Sequence, residues 1–331
     1  MKPPAVGSIV VFGEALLDEF AEQKLIGGAP FNVARNLAHF NCATLMISRI
    51  GKDPDGELIR ADMHRCGMTQ IGMQEDATHA TGRVLVTQDK QENTSSHRFT
   101  ILPDQAYDYI NSAQAQQAVN AFCLDHPARF LYFGSLVQRS VCSRLSLQAL
   151  LDDSKALRYL DLNLRDGQVS ASTITHSLHL ADIVKVNEDE LLHLLQLYPS
   201  TTGSVALDLA ADRLSWKPAI DALMSKFELQ AVIITLGANG YAYFDTQGRY
   251  FSASSFSSTT PVIDTVGGGD AFSAVFLSAC YYGWPLATGL RRAHEFASAV
   301  CGIRGAVSSD PDFFKQWMQR WAAESFSGER S

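Results

Sequence analysis

The 331-residue chain is 46% hydrophobic and 19% charged, a composition that buries a large core and excludes a disordered polymer. Its 27 Lys plus Arg face 35 Asp plus Glu, and the resulting charge of −8 argues against nucleic acid as a partner, because a phosphate backbone needs the opposite sign. The six cysteines, at 42, 66, 123, 142, 280 and 301, stand no closer than 19 residues apart, which leaves neither a CxxC pair nor a zinc knuckle and suits reduced thiols in a cytoplasmic protein.

The start, Met1-Lys-Pro-Pro, runs into Ser8-Ile-Val-Val-Phe-Gly13, too short an apolar run for a signal peptide, and no stretch reaches the length of a membrane span. A strand is predicted over Ile9 to Phe12, and Gly13-Glu-Ala-Leu-Leu-Asp18 leaves it with carboxylates at Glu14 and Asp18. Next, Gly27-Gly-Ala-Pro-Phe-Asn32 opens a helix: Pro30 suits its first turn and Phe31, Ala34, Leu37 and Ala38 form an apolar stripe. Asn32 then faces a pocket beside the free Gly28 amide. An Asp carboxylate and an Asn amide together supply the acceptors and donors that a neutral polyol needs, although either residue alone also suits a turn or a helix surface.

Further strands are expected at Thr44 to Ser48, Phe130 to Phe133, Tyr159 to Leu162, Ile183 to Val186 and Val232 to Thr235, with helical patterns between them. Several lack polar alternation, so both sheet faces should be covered: a three-layer α/β/α core with a mostly parallel sheet. One stretch breaks the rhythm. From about Gln70 to Tyr109, two strand-like runs flank the polar segment Gln88 to Thr94, which predicts a hairpin that leaves the core sheet and joins the segment 15–25 as a small lid. Without a linker between lid and core, residues 1–331 read as one domain.

The segment Asp264-Thr-Val-Gly-Gly-Gly-Asp-Ala-Phe272 precedes an apolar helical face at Phe272, Val275, Phe276, Ala279 and Cys280. Three glycines at a helix mouth sacrifice about 0.5 to 1 kcal/mol each in a regular element, which is reasonable where bare backbone must meet an anion. The first amides of a helix have no internal acceptor and lie at the positive end of the dipole, as a phosphoryl group in transfer requires. Asp270 stands beside them, placed either as a general base or as an ordinary acid favouring the dipole. A P-loop is excluded, since Gly51-Lys52 is followed by Asp53, and a dinucleotide fingerprint is excluded because Phe272 stands at its third glycine.

Together these segments resemble the ribokinase (PfkB) family of carbohydrate kinases, from about Val10 to Ser309, and within it most resemble fructokinases. The resemblance implies a ribokinase-like fold, ATP and Mg²⁺ as cofactors, Asp270 as the base, the amides of Gly267, Gly268, Gly269 and Asp270 as an anion hole, and sugar hydroxyls held by Asp18, Gly28 and Asn32. Asp161-Leu-Asn-Leu-Arg165 is similar to a family strand end, and Arg165 would reach the transferring phosphate or an acid group of the substrate. Asn187-Glu-Asp-Glu190 resembles the family's NxxE motif, with Asn187 near the triphosphate and Glu190 holding Mg²⁺ through water. Thr235-Leu-Gly-Ala-Asn-Gly240 resembles its nucleotide loop, with Thr235, Gly237 and Gly240 at ATP, and His294 falls where the family contacts the base. Some members bind K⁺ through main-chain oxygens, here around Asp264, Val266, Val300, Ile303, Gly305 and Ser309; Val266 replaces a threonine, and the run reads Gly-Gly-Gly where Gly-Ala-Gly is usual. The resemblance leaves open a 2-keto-3-deoxygluconate kinase, a ribokinase or a silent sugar- or nucleotide-binding regulator, and it implies a homodimer if the lid exposes an apolar face.

Overall fold

The computed structural model describes residues 7–91, 94–199, 212–253 and 261–327. Among the described residues, nine strands form the main sheet and four the small one. In chain order the strands are β1 (Ser8–Phe12), β2 (Leu16–Glu19), β3 (Lys24–Gly27), β4 (Thr44–Gly51), β5 (Met73–Asp76), β6 (Gly82–Gln91), β7 (Thr94–Ile101), β8 (Ala128–Gly134), β9 (Leu157–Asp161), β10 (Ile183–Asn187), β11 (Ala231–Thr235), β12 (Tyr241–Asp245) and β13 (Tyr250–Ala253). The helices are α1 (Ala29–His39), α2 (Pro54–Arg65), α3 (Ser112–Cys123), α4 (Val141–Asp152), α5 (Ala171–Leu180), α6 (Glu188–Leu197), α7 (Lys217–Phe227), α8 (Gly268–Tyr282), α9 (Leu286–Val300) and α10 (Pro311–Ser327).

The main sheet has the order β13-β12-β11-β10-β9-β8-β1-β4-β5 and is parallel from β11 to β5, with β12 and β13 added antiparallel at one edge. Along β1 every residue is buried: Ile9 and Val11 enter one core, Val10 and Phe12 the other. Helices α1, α8 and α9 cover the first core; α3, α4, α6 and α7 cover the second. A strand buried on both faces gains nothing from polar alternation, which is why these runs are so uniformly apolar. The shared direction of the parallel strands gathers Gly13, Gly134, Asp161, Asn187 and Leu236 at their carboxyl ends, where ligands of open α/β sheets collect.

The small sheet, ordered β3-β2-β6-β7, leaves the main one just beyond β1. Its extent differs from the expected 70–109. Residues Met73–Asp76 pair in parallel with β4 and form the edge of the main sheet, reached through α2. The buried Met73 side chain joins the core, so this segment completes a strand-helix-strand crossover before the lid begins at Gly82. At the far end, Tyr107 is fully buried in the second core, which returns the chain to the body after Ile101. The polar residues 88–91 stay within the β6 ladder, and the turn at 92–93 lies outside the described residues. Among the described residues, no helix is long and apolar enough to cross a membrane.

Candidate active site

Helix α8 begins at Gly268, and Gly267 precedes it in the left-handed region at φ 82. A Cβ on Gly267 would lie 2.4 Å from both Cα and Cβ of Ala306, so glycine is required here by conformation and by contact. Around it the segment 261–267 is laced to the turn after α9. The Ile263 and Asp264 amides donate to the Cys301 carbonyl at 2.8 and 3.2 Å, and the Asp264 carboxylate accepts from the Val266 amide at 3.0 Å and the Gly305 amide at 3.3 Å. The Gly267, Gly269 and Asp270 amides have no acceptor among the described residues, and all three glycines are partly open to solvent. An anion-receptive helix mouth is therefore present.

Asp270 is 8% exposed in the first turn of α8, and α1 packs alongside. That packing brings Asn32 to it: the Asn32 amide donates to Asp270 Oδ2 at 2.8 Å. Burial raises the Asp270 carboxyl from 3.8 to about 6, reinforced by the Asp161 charge and opposed by Asn32, Lys185 and Arg165. Two residues that fix this geometry escaped the sequence reading. Arg35, one turn beyond Phe31 and 4% exposed, donates to Asn32 Oδ1 at 2.5 Å, to the Ile26 carbonyl at 3.1 Å and to Asp62 at 3.1 Å. Its signal was a guanidinium inside an otherwise apolar helical stripe. Lys185 is 5% exposed in β10; its Nζ contacts both Asp161 oxygens at 2.9 Å and would lie 3.1 Å from a Cβ on Gly269. A lysine in a strand buried on both faces was the sign, because such a charge needs a partner. Asp161 also accepts from Ser273 at 2.9 Å and Tyr132 at 3.3 Å.

At the lid side, Gly27 is bare where Asp18 crosses it, a Cβ there lying 2.6 Å from Asp18 Oδ2. Gly28, at φ 99, passes 2.6 Å from the Glu14 carbonyl by the same measure. Burial lifts the Asp18 carboxyl to about 6, against the pull of Arg165 and with the nearby charges of Asp270 and Asp264 adding to the rise. Asp18, Glu14, Asp270 and Arg165 thus share one electrostatic neighbourhood.

The remaining candidates lie along the other strand ends. Asn187 caps α6 by accepting from the Glu190 amide at 2.9 Å, while Glu190 accepts from the Asn187 amide at 2.9 Å and the Leu164 amide at 2.7 Å. The NxxE spacing is therefore a capping box. With each oxygen already receiving an amide, the spare lone pairs of Glu190 fit a hydrated Mg²⁺ held through water. Thr235 ends β11, its hydroxyl on the Val186 carbonyl at 3.3 Å, and Gly237 and Gly240 turn the chain at φ 53 and 96. His294 is 7% exposed on α9 against Tyr241, and its Nε2 has no partner among the described residues. The carbonyls of Asp264, Val266, Ile303 and Gly305 accept no main-chain hydrogen bond among the described residues, as a monovalent cation site would need, whereas that of Val300 accepts from Ile303. Ser309 is exposed.

The family model for pfkB family carbohydrate kinases matches residues 6–312. The chain belongs to that family. A pfkB carbohydrate kinase is a phosphotransferase with a hydroxyl acceptor, and the relatives agree with the class. A fructokinase of Klebsiella pneumoniae is 27% identical over 339 aligned positions, covering 95% of this chain and 99% of that one. Among solved structures, the ATP-bound fructokinase of Xylella fastidiosa superposes with a TM-score of 0.77 at 21% identity, covering 96% of this chain and all (100%) of that one. A double mutant of the Vibrio cholerae O395 fructokinase, solved with fructose, ADP and potassium ion, gives 0.74 at 21% identity over 93% and 96% of the two chains. These structural likenesses establish the ribokinase-like three-layer fold for this pfkB kinase.

Proposed function

We propose that this kinase transfers the γ-phosphoryl group of ATP to a primary hydroxyl of a neutral ketohexose, with Asp270 as general base. The observation that carries this reading is a single juxtaposition: Asp270 lies buried beside amides that have no acceptor among the described residues, and Asn32 holds one of its oxygens at 2.8 Å. The sugar would lie between the strand ends and the small sheet, near Asp18, Gly28 and Asn32. Its hydroxyl would give its proton to Asp270 while attacking phosphorus, and the Gly267 to Asp270 amides would take the charge on the equatorial oxygens. ATP would extend past Asn187 toward Thr235, Gly237, Gly240 and His294. Mg²⁺ bound at Glu190 through water would offset triphosphate charge, and K⁺ behind the glycines would reinforce the anion hole. Closure of the lid would exclude water and so protect ATP from hydrolysis.

Charge favours a neutral acceptor. Glu14, Asp18 and Asp270 face Arg165, while Arg139 is engaged by Asp108 and Arg35 by Asp62. An anionic sugar acid would enter an already negative pocket. A coupled ADP-release assay with Mg-ATP over ketohexoses, aldoses, ribose and sugar acids tests the reading; the highest kcat/KM is expected with a ketohexose. Preference for 2-keto-3-deoxygluconate or ribose would overturn the substrate class, and sugar binding without turnover would overturn catalysis.

A further inference from the structure

The acceptor end of the site contains a carboxylate that the transfer step leaves unused. Glu14 follows Gly13 at the end of β1 and is 4% exposed. It accepts a hydrogen bond from its own amide, yet Oε2 has no partner among the described residues. Two more buried polar atoms nearby are short of partners. Tyr107 is fully buried, and its Oη has no neighbour to pair with beyond the Arg139 guanidinium, which its ring carries at 5.2 Å. Gln138 is fully buried; its amide donates to the Gly134 carbonyl at 2.8 Å, at the end of the strand beside β1, and its Oε1 is unpartnered.

Arg139 leaves Glu14 and Gln138 unanswered: four of its five N–H groups go to Asp108, Gln168 and the Leu102 carbonyl, and the phenol of Tyr107 is its remaining neighbour. Buried polar atoms are costly unless something pairs with them, so orphans beside the proposed sugar site point to the substrate. We propose that Glu14 determines acceptor specificity, its free oxygen receiving a hydroxyl of a neutral polyol, with Tyr107 and Gln138 completing the surroundings of that hydroxyl.

The donor inventory selects the ligand class. Gln138 Oε1 only accepts, ionised Glu14 only accepts, and Tyr107 Oη can donate. A polyol can serve such a set with two neighbouring hydroxyls, one proton going to Glu14 and another to Gln138 Oε1 while a lone pair accepts from Tyr107, whereas a carboxylate ligand brings acceptors alone and adds like charge. Burial pushes the Glu14 carboxyl to about 7, with Arg165 and Arg139 opposing the rise and Asp270 adding to it, and the phenol of Tyr107 is its neutral neighbour. A donated hydroxyl favours the ionised form, so acceptor binding should release protons near neutral pH.

This inference rests on the ketohexose reading, and two measurements separate them. Steady-state kinetics of the full-length enzyme, Glu14→Gln and Tyr107→Phe would be compared with fructose and 2-keto-3-deoxygluconate. Glu14→Gln is expected to raise KM for fructose by about 10- to 100-fold, to change kcat less, and to narrow the preference for fructose over the sugar acid, with Tyr107→Phe following in the same direction. Unchanged KM and preference in Glu14→Gln would overturn the proposal, as would equal losses for both acceptors with a lowered Tm. Calorimetric titration of fructose into wild type and Glu14→Gln in two buffers of different ionisation heat reads binding and proton release without turnover. Weaker binding and lost proton release in the variant support the role of Glu14 even if the wild type transfers no phosphoryl group. Absence of fructose binding to the wild type overturns both readings.

Discussion

Alanine at Gly267 tests the helix mouth most directly. Left-handed backbone at φ 82 costs an L-residue about 1–2 kcal/mol. The new methyl would also meet Ala306 at 2.4 Å, against Cα as well as Cβ, so backbone must move; overpacking of that kind costs about 1–3 kcal/mol. Together the penalty is about 2–5 kcal/mol, relieved either by pushing the 301–306 turn outward or by rotating the Gly267 peptide. Each route displaces amides from the phosphoryl group, and loss of one such donor costs about 10²–10³ in kcat. Gly248 is the internal control: it has φ 77 with nothing within 4 Å of its virtual Cβ, so Gly248→Ala carries only the conformational cost. Coupled ADP release and thermal melts on both variants should show both losing stability, with only Gly267→Ala losing turnover. Wild-type kcat in Gly267→Ala would refute the role assigned to this mouth.

Asp270→Ala should lower kcat by about 10²–10⁴ with the fold retained, as loss of a general base does, checked by single-turnover kinetics and circular dichroism. Because the base acts ionised and its carboxyl sits at about 6, with Glu14 at about 7, kcat/KM should be level above about pH 8 and fall below pH 7, and Glu14→Gln should leave the Asp270 limb alone, which a pH series would reveal. The same raised value penalises the ionised folded form, a cost absent below 3.8 and complete above about 6. Asp270→Asn should therefore melt higher than wild type at pH 8 and equally at pH 3. Lys185→Met strands the buried Asp161 carboxylate and should cost about 3–5 kcal/mol in denaturant unfolding, largely recovered when Asp161→Leu is added.

Local patterns carried most of the architecture. The six expected strands all occur, because parallel strands buried on both faces advertise themselves as apolar runs, and α8 begins at Gly268 as its glycines and apolar face predict. The lid limits were less legible: Met73–Asp76 is only four residues long, and its membership of the main sheet depends on pairing with β4, a contact no local pattern encodes. Asp270 and Asn32 were visible as types at helix starts, but their mutual hydrogen bond arises from α1 packing on α8 across 238 residues of sequence. Arg35 and Lys185 were hidden for a related reason. A charge within an apolar stripe signals a buried partner without saying which one.

Arg35 has a mechanical consequence. One of its nitrogens grips both the Asn32 side chain and the Ile26 carbonyl of β3, while another is anchored on Asp62 of α2. The amide that steadies Asp270 is thus braced against a strand of the small sheet. Any swing of that sheet pulls on the same strut, so the alignment of the Asp270 carboxylate and the position of the small sheet are tied to one guanidinium.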